Sequence, residues 1–171
     1  PYFVSSLAST LEMDMAYIAL VSPDVADEYV TGAFWADGEL RKNFHYKRRG
    51  TPCETVVGLV ARVYPEAVRG RFPGNPLVQG QEIEAYVGVP LFSSSGRPLG
   101  LVAVMRRTGI EEPDTILSVM RNFADRAAAE IERAEVLGKL MDNERHFRNL
   151  MDQAADGIVV AQPDGQLSYV N

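Results

Sequence analysis

Two apolar runs joined by a short polar turn constrain the fold of this chain more than any other feature of its sequence. The runs cover residues 84–92 and 99–106, and the turn covers residues 93–98. A polar turn between apolar runs of this length predicts an antiparallel hairpin. Because both faces of the hairpin are largely apolar, the sheet needs cover on both sides. Gly88 and Gly100 lie inside these strands, where a missing side chain lets another element or a ligand approach the backbone.

The segments before this hairpin predict further strands of the same sheet. Apolar residues at helical spacing predict a helix over residues 3–13, and short apolar runs predict strands over 17–21 and 29–35. The Asp37-Gly38 turn closes the second strand, and residues 39–46 continue as one looser extended stretch. The pattern indicates an antiparallel meander, and therefore an α+β fold with a central antiparallel sheet flanked by helices.

A helix start is predicted after residue 50. Thr51 is suited to the N-cap, Pro52 to the first helical position, and Glu54 to the third helical position, where it would complete a capping box with Thr51. These residues predict a short helix through Val57. Residues 61–64 predict a strand. Residues 65–82 are rich in Pro, Gly and Arg without a clear period, which predicts a long ordered loop with one helical turn.

From Glu111 onward the pattern is that of a long helix with an apolar stripe and no breaker before Gly138. A helix of this length is not expected to be buried in one small domain, so we predict a parallel coiled coil between two copies of the chain. The register of the stripe shifts near Ala134. The residues expected at the dimer interface are Met120, Phe123, Ala127, Ile131, Ala134, Leu137 and Met141.

Charge and composition narrow the classes of function. The formal net charge is -6, which disfavours nucleic acid and anionic membrane surfaces as partners. One cysteine allows no intrachain disulfide, and no apolar run is long enough to cross a bilayer, so we expect a cytoplasmic location for this segment. The chain opens without Met and closes within a strand-like pattern. We therefore expect it to be part of a longer protein, which could itself be membrane-anchored.

Several short motifs join this order of elements. They are Gly-Thr-Pro-Cys-Glu-Thr-Val-Val-Gly at 50–58, Tyr-Pro at 64–65, Arg-Phe-Pro at 71–73, Tyr-Val-Gly-Val-Pro-Leu at 86–91 and Gly-Arg-Pro-Leu-Gly at 96–100. With them the chain resembles the GAF family, and residues 145–160 resemble the start of a PAS domain. The resemblance implies a GAF domain over 1–133, a signalling helix or coiled-coil linker over 134–150, and a truncated N-terminal part of a PAS domain over 151–171. The last part is expected to be a short hairpin turning at residues 163–165.

The resemblance also implies where a small molecule could bind. A GAF fold would place a set of aromatic and cationic residues between the sheet and the middle loop, although the aromatic ones could equally form core. The pocket candidates are Phe34, Tyr46, Arg48, Cys53, Tyr64, Arg69, Arg71, Phe72, Tyr86 and Phe92. The basic run at residues 41–49 could form a cationic rim around an anionic ligand, or simply be a solvated loop.

The sequence gives less support to cyclic-nucleotide binding, bilin attachment, metal binding and thiol-dependent reduction. The Asn-Lys, Phe and Asp-Glu pattern of cyclic-nucleotide-binding relatives is absent, and Cys53 is not followed by the histidine typical of bilin attachment. His45 and His146 lie too far apart for the usual metal spacings, so no metal site and no cofactor are expected. A GAF-type reductase relies on several cysteines, whereas this chain has only Cys53.

The expected function is therefore regulatory, with no catalytic residues in this segment. A small molecule in the pocket, or the packing state of the pocket, would alter how two connector helices meet. The parent protein is expected to be a histidine kinase or a diguanylate cyclase. Two alternatives stay open: a thiol-dependent reductase that uses Cys53, and a ligand-free dimerisation spacer.

Overall fold

The predicted hairpin forms the middle of a seven-stranded antiparallel sheet in the computed structural model of the chain. The structure describes residues 2–22, 25, 27–58, 60–152, 159–161 and 167–170. The chain divides into two compact units, Pro1–Glu130 and Ile131–Asn171. The elements of the first unit are α1 (Tyr2–Thr10), β1 (Met15–Val21), β2 (Glu28–Ala36), β3 (Glu39–Arg41), β4 (His45–Lys47), β5 (Arg62–Tyr64), α2 (Val68–Arg71), α3 (Pro76–Gly80), β6 (Ala85–Phe92) and β7 (Pro98–Arg106). Helix α4 (Pro113–Asp152) begins in this unit and continues into the second, which also contains β8 (Val159–Ala161) and β9 (Leu167–Val170).

The sheet order is β3-β2-β1-β7-β6-β5, with β4 also paired to β2. Strand β7 is central because it pairs with both β1 and β6, and its residues Leu99–Met105 are all buried. The α+β architecture predicted from the sequence is confirmed. At Gly100 a Cβ atom would collide with the backbone of Ala19, so the β1–β7 pairing requires glycine at this position.

Helices α1 and α4 cover one face of the sheet. Val4, Leu7 and Ala8 of α1 have no exposed surface, and Met120 of α4 has none either. The rings of Phe3 and Phe123 meet edge to face with their centroids 5.0 Å apart. Helix α1 ends at Thr10, three residues earlier than the sequence predicts, because Glu12 takes a left-handed conformation with φ of 53°.

The extended stretch predicted over residues 39–46 contains two strands, β3 and β4, separated by residues 42–44. Strands β3 and β4 both pair with β2, and the segment between them is held by side chains. Phe44 N donates to Thr31 Oγ1 at 2.8 Å, and Asn43 Nδ2 donates to the carbonyl of Gly32 at 3.2 Å. These bonds replace part of the regular ladder. The chain resumes its pairing with β2 at His45 in the same register, because the pairs Phe34–Arg41 and Val30–His45 belong to one antiparallel alignment.

The capping box predicted at Thr51 is wrong. The Thr51 hydroxyl donates to the carbonyl of Arg48 at 2.6 Å, and Glu54 Oε2 accepts from the backbone N–H of Gly50 at 2.8 Å, not from that of Thr51. The predicted helix through Val57 is instead a 3₁₀ turn over Pro52–Thr55. This turn directs Cys53 inward, where the residue is 2% exposed.

The segment 65–82, predicted as a loop with one helical turn, contains two short helices. Asn75 caps α3 by accepting the backbone N–H of Val78 at 3.0 Å, and Pro76 occupies the first turn. Val68 of α2 and Val78 of α3 are fully buried in the core cluster that contains Tyr17, Tyr86 and Met105 of the sheet. Helices α2 and α3 thus cover the sheet where a long loop was predicted.

The long C-terminal helix is confirmed, and Gly138 does not interrupt it. In the second unit β8 and β9 pair antiparallel, as the predicted hairpin requires, while the turn predicted at 163–165 lies outside the described residues. No described helix is long and apolar enough to span a membrane.

Candidate ligand site

A cavity of about 390 Å³ lies between the sheet and the α3 segment. This volume is near the lower end of the range of about 300–1,000 Å³ that is usual for small-molecule sites. Strands β1, β4 and β7, the 3₁₀ turn and the N-terminal end of α3 all contribute to the wall. The lining residues are Tyr17, Phe44, His45, Tyr46, Lys47, Arg49, Thr51, Cys53, Gly74, Asn75, Pro76, Leu77 and Met105.

The floor of the cavity holds a cysteine surrounded by phenols. Tyr17 Oη lies 3.1 Å from Cys53 Sγ, and either atom could be the donor. Tyr46 Oη donates to the same sulfur at 3.3 Å, and Tyr86 Oη donates from behind the floor at 3.7 Å. A thiol has a single proton, so the sulfur must act as an acceptor for at least two of these hydroxyls.

Burial keeps these phenols neutral. Desolvation, followed by the nearby Cys53, raises the pKa of Tyr17, Tyr46 and Tyr86 above the ordinary tyrosine value. Each phenol therefore retains its proton in the folded protein and can donate it to the sulfur. The cluster satisfies its own polar groups, and the floor presents an apolar surface to a bound molecule.

The rim of the cavity is cationic. Lys47 and Arg49 extend from β4 and the residues after it, with His45 beside them on β4, and Asn75 also lines the cavity at the start of α3. The lining contains no Asp or Glu. The site therefore combines an aromatic and aliphatic interior with positive charge at one edge, although the chain as a whole has a net charge of -6.

The structure brings two of the ten sequence-predicted pocket residues, Tyr46 and Cys53, to the cavity wall. Phe34 and Tyr86 lie behind the wall in the core cluster. The other six predicted residues do not line the cavity: Arg48, Tyr64, Arg69, Arg71, Phe72 and Phe92.

Those six residues lie in other environments. The Tyr64 ring meets the Phe72 ring edge to face with centroids 5.4 Å apart, and the Arg71 guanidinium lies 5.5 Å from the centroid of the Tyr64 ring. Arg48 pairs with Asp27 at 2.7 Å, and Arg69 pairs with Glu84 at 2.7 Å. Phe92 is 39% exposed near the end of β6.

Sequence reasoning missed most of the wall. Phe44, Asn75 and Leu77 were not singled out, although Asn-Pro at 75–76 is a helix-start signal that could have identified the closing helix. Lys47 and Arg49 belong to the basic run whose cationic-rim interpretation was left open.

Among the residues that the structure describes, no group of His, Cys, Asp and Glu side chains could hold a metal ion.

The residues predicted for a dimer interface fall into two groups along α4. Met120 and Ala127 are buried within the single chain, and Phe123 packs on Phe3. Leu137 and Met141, farther along the helix, are 50% and 68% exposed. Ile131 is half-buried and Ala134 is exposed, so most of the predicted residues with surface available for a second copy lie from Ile131 onward.

Comparisons with known proteins agree with this architecture. The family model described as GAF domain matches residues 3–131. The methyl sulfide methyltransferase-associated sensor of Methanosarcina acetivorans is 28% identical over 121 residues, which are 67% of this chain but only 12% of that protein. This chain thus spans about an eighth of the sensor's length.

Solved structures share the fold. A red/green cyanobacteriochrome in its red light-absorbing state matches with a TM-score of 0.63 at 16% identity, covering 80% of this chain and 93% of that one. The GAF domain of a two-component sensor histidine kinase from Bacillus halodurans matches with a TM-score of 0.57 at 12% identity, covering 80% and 96%. At these identities the likeness establishes the common fold.

Proposed function

The chain belongs to the GAF domain family, and on that premise we propose that it is a sensory module which binds a small molecule in the cavity and passes the change to α4. The cavity between the sheet and α3 is the observation that carries this proposal. One wall is a rigid antiparallel sheet. The other includes the start of a five-residue helix, an element short enough to shift when the cavity fills.

A network around Arg107 supplies a physical route from α3 to α4. The Arg107 guanidinium donates to the carbonyl of Gln81 at 3.1 Å and to Gln81 Oε1 at 3.1 Å. It also reaches Asp37 at 2.7 Å, and Arg107 N donates to Asp14 at 2.8 Å. Gln81 follows α3 directly, and Arg107 lies six residues before α4. A shift of α3 would therefore act on the connection that leads into α4.

Beyond residue 130, α4 carries the apolar surface that a relay between two copies would need. Its exposed apolar side chains include Leu137, Leu140, Met141 and Phe147. We infer a homodimer formed through this part of α4, with a change in crossing or register as the output. The resemblance of residues 145–160 to a PAS domain supports a multidomain parent, and the sensor relative supports a signalling role for it. A histidine kinase or diguanylate cyclase is the parent that we propose.

The site geometry favours binding over thiol catalysis. Cys53 lines the cavity, but its sulfur serves as a hydrogen-bond acceptor for buried phenols, and the chain has no second cysteine to resolve an oxidised intermediate. The reductase alternative is therefore the weaker proposal.

The binding step can be tested with a fragment library and ligand-observed NMR. Wild-type protein should bind a subset of fragments, and Leu77→Trp, which fills the cavity from α3, should lose them. The matched control Leu40→Trp changes an exposed leucine on β3 outside the cavity lining and should retain them. Equal binding to wild type and to Leu77→Trp would place the fragments outside the cavity and contradict the proposal.

A further inference from the structure

We propose that the molecule recognised by the cavity is a small organic carboxylate with a flat apolar body of one or two rings. This inference rests on the proposed function, because it names the chemistry of the ligand in the same cavity. It stands on three observations: an amide donor in the cavity wall without an acceptor among the described residues, two unpaired cations at the rim, and an interior whose own polar groups are already satisfied.

The amide donor belongs to Asn75. This residue is 7% exposed and lines the cavity, and its Oδ1 accepts the backbone N–H of Val78 at 3.0 Å. That bond fixes the orientation of the amide, because the oxygen must face the N–H of α3. The Asn75 amide nitrogen has no acceptor among the residues that the structure describes. Because Asn75 lines the cavity and this nitrogen is not a sealed, buried atom, it is open to an acceptor on a ligand.

The two cations are Lys47 and Arg49. Neither makes an ion pair with another described residue. Both also border a neighbouring cleft that contains Asp27 and Glu28, but these acids face other partners. Asp27 lies 2.7 Å from the Arg48 guanidinium, and Glu28 lies 3.9 Å from His45 Nδ1. The positive charge of Lys47 and Arg49 is therefore available to an anion at the rim.

The interior selects an apolar, flat body. Phe44, Leu77 and Met105 contribute apolar surface, and the phenols of Tyr17 and Tyr46 are committed to Cys53 Sγ. A ligand with many hydroxyls or charges would lose hydration there without compensation. Together with the volume of about 390 Å³, this favours one or two rings with a single anionic group at the polar rim.

The test uses matched probes that differ only in charge. Isothermal titration calorimetry compares 1-naphthoate and indole-3-carboxylate with the corresponding neutral carboxamides. The carboxylates should bind at least about tenfold more tightly, since a hydrogen bond to a charged group is stronger than its neutral counterpart. Phenyl phosphate distinguishes a carboxylate site from a site for phosphate esters.

Asn75→Asp is the decisive variant. Aspartate still caps α3 through its carboxylate oxygen, so the fold should be retained, but it replaces the amide donor with a negative charge. Carboxylate binding should fall by at least about tenfold, and Arg49→Gln should weaken it in a salt-dependent way. Lys42→Gln removes one positive charge outside the cavity lining and should leave binding unchanged.

Four results would overturn the carboxylate assignment. They are carboxamides that bind as tightly as carboxylates, unchanged carboxylate affinity in Asn75→Asp, no carboxylate binding at millimolar concentration, and a preference for phenyl phosphate. If the carboxamides bind and Leu77→Trp abolishes their binding, the small-molecule site stands and only its anion selectivity fails.

Discussion

At the scale of single residues, the contact of three phenols with one sulfur is the feature that sequence patterns do not reveal. Tyr17, Tyr46 and Tyr86 come from three different strands, separated from Cys53 by up to 36 positions in the chain. The sequence did indicate that Gly88 admits a close neighbour. A Cβ atom there would lie 2.7 Å from Tyr86 Cε1, so glycine lets this ring reach the sulfur.

Replacement of Cys53 tests the role of the sulfur as an acceptor. Cys53→Ser retains an acceptor, and its melting temperature should stay within a few degrees of wild type. Cys53→Ala leaves buried hydroxyls without a partner, which costs about 1–3 kcal/mol. Thermal unfolding followed by circular dichroism should therefore rank wild type and Cys53→Ser above Cys53→Ala. Equal stability of Cys53→Ala and Cys53→Ser would contradict this role.

Alkaline pH should destabilise the fold through the same tyrosines. Burial raises the pKa of Tyr17, Tyr46 and Tyr86 in the folded state, so the unfolded chain releases these protons first. The stabilisation is fully present below the unfolded tyrosine pKa of about 10 and is lost as pH rises above it. Urea unfolding between pH 8 and pH 11 should show this fall. In Tyr86→Phe the fall should be shallower, and an identical pH dependence would count against it.

At the scale of elements, Arg107 ties together segments that are distant in the chain. It joins the residue after α3, the start of β1 and the β2–β3 turn at the point where the chain leaves β7. Lysine carries the same charge but lacks the planar set of donors that these contacts use. The position is therefore sensitive to the shape of the side chain as well as to its charge.

Arg107→Lys should loosen the entry to α4 without unfolding the sheet. Hydrogen exchange should become faster at residues 107–120 and stay unchanged in β6, because β6 does not depend on this network. Arg106→Lys is the matched control, since Glu84 bonds to the backbone carbonyl of Arg106 and not to its side chain. Identical exchange patterns in the two variants would show that Arg107 does not link α3 with α4.

Periodic elements were predictable from sequence and the irregular ones were not. The apolar runs of β6 and β7 and the stripe of α4 carry signals many residues long. Helices α2 and α3 span four and five residues, too few to show a period. Side-chain bonds from Thr31 and Asn43 interrupt the extended stretch between β3 and β4. The cavity wall depends on these short elements, which explains why most of it was missed.

At the scale of the whole molecule, the exposed apolar residues of α4 point to self-association. Leu137→Glu combined with Met141→Glu places charges on that surface without touching the buried Met120. Light scattering should change from twice 18.9 kDa for wild type to 18.9 kDa for the double variant. Lys139→Glu, an exposed control on the same helix, should remain dimeric. A dimer that survives the double substitution would require a different interface.

Coupling between the cavity and α4 is the central claim, and hydrogen exchange with a bound cavity fragment tests it most directly. Exchange is measured in wild type, Leu77→Trp and Arg107→Lys, with and without a saturating fragment that wild type binds. In wild type we expect the fragment to slow exchange in α3 and to alter exchange at residues 107–130. Leu77→Trp should show neither change. Arg107→Lys should show only the change in α3. Protection confined to the cavity in wild type, with residues 107–130 unchanged, would contradict the account.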